Sequence, residues 1–190
     1  MLALPPPLAA VRLRLLAIRN QPCAQDRPYW AVQGSQVCSI WLPLDPTPLH
    51  SAVEYVAGSH RWQQYEPYHF MDGSPYDGTG LPPLPDIDAR REELPIVRWE
   101  MEPGDVLAFH CDIVHGAPGH ATPSETGAAK VQQREQPGGG GLGRRRALVT
   151  RWLGDDARFA VKPGEVAIPT FDTGLRDGDR MDGRHFPRVL

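Results

Sequence analysis

The chain has 190 residues, 41% hydrophobic and 23% charged. That suits one soluble globular domain and excludes a wholly disordered polymer or a polytopic membrane protein. Its 19 glycines and 21 prolines predict many turns rather than a helical bundle, and a net charge of −3 with no basic run longer than Arg144-Arg145-Arg146 gives no nucleic-acid surface.

In chain order, residues 1–18 are apolar, but Pro5-Pro6-Pro7, Arg12 and Arg14 interrupt them, so neither a signal peptide nor a membrane span is expected. Five short runs rich in β-branched and aromatic residues follow, at 37–44, 52–56, 96–101, 106–113 and 147–153, each bounded by turn formers. They predict strands, with a hairpin at Pro103-Gly104-Asp105 between the third and fourth. Residues 62–95 read as a long covering loop with one helical turn at 87–93. The segment 117–143, which holds four consecutive glycines, reads as a flexible insert. Limited proteolysis is therefore expected to cut first within 127–143, and strong amide protection there would refute the loop assignment. Cys23, Cys38 and Cys111 form no CxxC pair, which argues against a disulfide scaffold or zinc knuckle and for a reducing, cytoplasmic setting.

Side chains alternate along a strand. Through 106–113 this puts Phe109, Cys111 and Ile113 on one face that ends in His115, at the mouth of the interior, where an imidazole suits a metal. His110 and Asp112 form a literal H-x-D but fall on the opposite face unless a bulge intervenes. His50, His60, His69 and His120 are scattered through turns and loops rather than clustered on a strand pair.

Four segments, in order, resemble the phytanoyl-CoA dioxygenase family of non-haem Fe(II), 2-oxoglutarate oxygenases. They are Gln25-Asp26-Arg27-Pro28-Tyr29-Trp30, VCSIWLPLD from Val37, Gly58-Ser59-His60-Arg61-Trp62, and Gly104-Asp105-Val106 through His115-Gly116. RRALVTRWLGDD from Arg145 is similar to the family's last core strand, so the likeness runs over about 21–159. The resemblance implies a mainly β fold, a double-stranded β-helix or jelly roll with long loops and little helix. It implies hydroxylation of a small organic substrate with Fe(II), 2-oxoglutarate as cosubstrate and O2. A 2-His-1-carboxylate face leaves iron positions open for both. By the same resemblance Asp26 and His115 are metal ligands and Arg145 pairs with the far carboxylate of 2-oxoglutarate, with Arg146 the one-residue alternative. Trp41 shapes the cosubstrate pocket. No membrane or nucleic-acid partner is implied.

One departure bears on the chemistry. Where the family has a histidine two residues before the aspartate, this chain has Ala24, which cannot ligate a metal. The alternative reading is therefore a catalytically inactive jelly-roll remnant or binding protein. Residues 1–20 look atypical, as in an N-terminally truncated or divergent member, and 160–190 are expected to form a C-terminal extension to a single domain.

Overall fold

The computed structural model describes residues 21–69, 72–117, 146–163 and 168–189. The atypical start, Arg145, and all but Ala117 of the 117–143 insert lie outside the described residues. The strands are β1 (Gln21–Ala24), β2 (Val32–Gln33), β3 (Val37–Pro43), β4 (Glu54–Val56), β5 (Ile96–Val97), β6 (Leu107–His110), β7 (His115–Ala117), β8 (Ala147–Leu153) and β9 (Arg158–Phe159). No α-helix occurs among the described residues, and none of their helices is long and apolar enough to cross a membrane.

One sheet runs β1-β7-β4-β5 and a second runs β6-β3-β8, all neighbours antiparallel; β2 and β9 form a small pair. The chain switches between the two larger sheets, as in a jelly roll. Their inner faces meet where Phe109 of β6 packs on Tyr55 of β4 and His115 of β7, with ring centroids 5.1 and 4.9 Å apart. Strand β3 shows why the sequence folds this way: Val37, Ser39, Trp41 and Pro43 are buried, while the residues between them are half-exposed. Val56 and Val114 are at most 1% exposed, and burial of such a side chain contributes about 1.5–3 kcal/mol.

The expected strands at 37–44, 52–56 and 147–153 appear almost at those boundaries. Two expectations are corrected. Residues 103–105 do not join a hairpin, because Ile96 and Val97 pair with Val56 and Tyr55 in one sheet while Leu107–His110 pair with β3 in the other. The 106–113 strand stops at His110, since the Cys111 carbonyl accepts the N–H groups of Asp26 and Arg27 (2.9 and 3.1 Å) instead of continuing a ladder. The chain turns there and re-enters the other sheet as β7.

Loop 62–95 carries a helical turn, with Arg90 N–H donating to the Ile87 carbonyl and Leu94 N–H to that of Arg90. A buried carboxylate ties it down: Glu54 accepts two hydrogen bonds from Arg91 (2.7 and 2.8 Å) and one from Arg98 (2.9 Å). The bonds from Arg91 hold the Glu54 carboxyl below its usual range. A depressed folded pKa gives stability that is present above the unfolded pKa and lost as pH falls through the folded one. Glu54→Gln is therefore expected to cost about 1–2 kcal/mol at neutral pH, because the arginines stay half-exposed and screened. It should also flatten the loss of stability below about pH 4. Urea denaturation at neutral and acid pH measures both.

Candidate metal centre

Asp26 sits where β1 gives way to a 3-10 turn, Arg27–Tyr29, whose start is pre-set by Pro28. The two hydrogen bonds to the Cys111 carbonyl fix its backbone. On either side of it, Gln25 Nε2 donates to the Gln63 and Asp112 carbonyls (3.2 and 3.0 Å), and Arg27 Nε donates to Asp112 Oδ1 at 2.6 Å. With both neighbours tied down, the Asp26 carboxylate turns inward, where its Oδ2 accepts the Ser39 hydroxyl at 2.9 Å.

His115 opens β7 between β1 and β4, paired with Ala24 on one side and Tyr55 on the other. Its ring stacks on Tyr55 at 5.8 Å and 18°. Nδ1 lies 3.0 Å from the Ile113 carbonyl, which can only accept, so Nδ1 carries a proton and Nε2 is the ring nitrogen turned toward the site. Nε2 is 3.9 Å from Asp26 Oδ1. The glycine after it is sterically required, because a Cβ on Gly116 would come within 2.9 Å of Cys23 Sγ and 3.1 Å of its backbone. The Gly58-Ser59-His60 motif works at the same spot. Gly58 turns the chain at φ +82°, and the fully buried Ser59 hydroxyl donates to the Val56 carbonyl (2.7 Å) while accepting the Val114 N–H (2.8 Å). Ser59 thereby positions the residue before His115.

Two rows of side chains thus face each other. Ala24, His115 and Tyr55 cross one sheet, while Phe109, Ser39 and Arg151 cross the other in register. Asp26 lies between them. The Arg151 guanidinium rests over the Trp30 ring at 4.6 Å and reaches within 3.7 Å of Asp26 Oδ2. A carboxylate oxygen and an imidazole nitrogen aimed at one another suit a divalent, oxygen- and nitrogen-loving metal such as Fe(II). The third corner is a methyl group: Ala24, 8% exposed, occupies the strand position directly across from His115. The donor set therefore fits iron on two sides and is open on the third.

The other expected site residues are placed unequally. Trp41 is buried on the same inward face as Ser39, beside a cavity of about 10 Å3 that it lines with Tyr55, Trp99 and Met101. Arg145 lies outside the described residues. Arg146 is committed elsewhere, to a bidentate pair with Asp45 at 2.6 and 2.9 Å. The donor atoms of His110, Cys111 and Asp112 lie within 4.8 Å of one another, yet all are engaged or disfavoured. His110 Nε2 bonds the Ser35 carbonyl at 2.8 Å, and His110 Nδ1 accepts the Asp112 N–H at 3.2 Å. Asp112 holds Arg27, and burial pushes the Cys111 thiol up to about 12. Sequence reading missed Ser39, Ser59, Tyr55 and Arg151. The signals available were a polar residue, Ser39, at an inward position of an apolar strand, and Ser59 inside the Gly58-Ser59-His60 segment.

A family model described as Phytanoyl-CoA dioxygenase (PhyH) matches residues 17–126, more than half the chain. The chain belongs to this family. Among solved structures, it is similar to SnoK, described as a non-heme alpha ketoglutarate dependent carbocyclase from nogalamycin biosynthesis, at 17% identity and a TM-score of 0.57, over 89% of this chain and 56% of that one. It is also similar to the epimerase SnoN, crystallised with Fe3+, alpha ketoglutarate and nogalamycin RO, at 18% identity and a TM-score of 0.55, over 90% and 57%. The chain thus spans a little over half the length of these structures. No curated protein sequence matches it. At such identities the structural likeness is one of fold, and it agrees with the jelly roll seen here as a member of the phytanoyl-CoA dioxygenase family.

Proposed function

We propose that this protein is built for Fe(II)- and 2-oxoglutarate-dependent hydroxylation of a small organic substrate, with Asp26 and His115 as its protein ligands to iron. The observation that carries this reading is the approach of His115 Nε2 to Asp26 Oδ1 at 3.9 Å, with Nδ1 held on the Ile113 carbonyl. When bound, iron with 2-oxoglutarate and O2 supplies oxidation of a C–H bond coupled to decarboxylation of the cosubstrate. The chain's own contribution is positional. Ser39 donates to Asp26 Oδ2 and leaves Oδ1, which has no hydrogen bond among the described residues, on the His115 side; the Ile113 carbonyl accepts the Nδ1 hydrogen bond and turns Nε2 toward the site, and Tyr55 and Phe109 fix the ring. Arg145 is the proposed anchor for the far carboxylate of 2-oxoglutarate. The commitment of Arg146 to Asp45 supports that choice, and Trp41 is the proposed wall of the pocket.

Ala24 favours the second reading, a family member that keeps the fold and binds ligand without turnover. Anaerobic Fe(II) titration followed by a succinate assay separates them. The first reading expects metal-dependent binding of 2-oxoglutarate that Arg145→Ala weakens by about 10-fold or more, with Arg146→Ala affecting stability instead. Metal binding without succinate supports the second reading, and no metal binding by folded protein overturns the first.

A further inference from the structure

Arg27 points away from the metal face. It lines a separate open cleft of about 830 Å3, shared with His60, His110, Asp112, Lys162 and Asp177, to which neither Asp26 nor His115 contributes. Two cations, Arg27 and Lys162, and two carboxylates, Asp112 and Asp177, line it, and both carboxylates are already engaged. Asp112 is already paired with Arg27 at 2.6 Å. Asp177 accepts the Val161 N–H at 2.9 Å. Lys162 is half-buried and has neither an ion pair nor a hydrogen bond among the described residues. Burial, together with the nearby Arg27 charge, pushes its pKa down. Arg27 itself is only 6% exposed in its side chain and is engaged through Nε alone among the described residues. The His60 and His110 rings lie 5.9 Å apart on the same cleft.

A partly desolvated ammonium beside a guanidinium costs free energy unless an anion compensates it. Open clefts with converging polar groups, here including a lysine left without a partner among the described residues, are where ligands bind. We infer that this cleft binds a small oxyanion, a phosphate or carboxylate group, which pairs with Lys162 and lies against Arg27 and His60. The site is independent of iron, since its residues supply none of the metal donors.

The test is a 15N NMR titration of the full chain with inorganic phosphate and, separately, with acetate, at ionic strength held constant with sodium chloride. Saturating shifts are expected at the amides of Gly34, Ser35 and Lys162, with Gly116 beside the metal ligand unmoved. Lys162→Gln should weaken binding by at least about 10-fold, and Lys162→Arg should retain it. Saturation by phosphate alone identifies a phosphate-bearing ligand, and comparable saturation by acetate identifies a carboxylate. Shifts that follow salt alone, the absence of saturation with either anion, or unchanged binding by Lys162→Gln would each overturn the proposal.

Discussion

Ala24→His is expected to tighten Fe(II) binding and to create or raise succinate release from 2-oxoglutarate, even without the true substrate. The reason is positional. Residue 24 lies across the β1–β7 ladder from His115, and Asp26 follows two residues later, so a histidine there would complete a 2-His-1-carboxylate face. Loss of a group that merely supports a ligand costs about 10- to 100-fold in metal affinity or activity. Restoring a direct ligand should therefore gain at least about 10-fold. Ala24 is buried against Tyr29 and Trp30, so the larger ring will also cost about 1–3 kcal/mol of stability through overpacking. A thermal melt beside the anaerobic titration separates this cost from the gain in metal. A folded variant that gains neither metal nor succinate would move the defect elsewhere, to the 3.7 Å approach of Arg151 to Asp26 or to the reading of Asp26 as a ligand.

His115→Ala should abolish whatever Fe(II) binding the natural chain has, because it removes one of two protein donors. His110→Ala should leave metal binding nearly unchanged while costing about 1–2 kcal/mol, since it deletes the bonds to the Ser35 carbonyl and the Asp112 N–H. Titration and chemical denaturation of both variants give the comparison. Equal losses of iron would mean that the metal sits at the 110–112 turn instead of between β7 and the Asp26 turn.

Much of this was legible in the sequence because it depends on local order. The inward series Val37, Ser39, Trp41 and Pro43 is written directly in the alternation of β3, and β8 was delimited by its apolar run. The motifs around Asp26 and His115 likewise marked the residues proposed as metal ligands, and the absence of a histidine at position 24 needed no structure to be seen. Tertiary structure decided what depends on partners distant in the chain. Alternation alone carried one strand from Val106 past His110. The strand ends because Asp26 and Arg27, more than eighty residues earlier, take the Cys111 carbonyl, and no periodicity records a hydrogen bond of that reach. The pairing of Arg146 with Asp45 has the same character. So has the placement of Ala24 directly opposite His115, which puts a departure visible in the sequence at one corner of the proposed metal site, because only strand register brings residues 24 and 115 together.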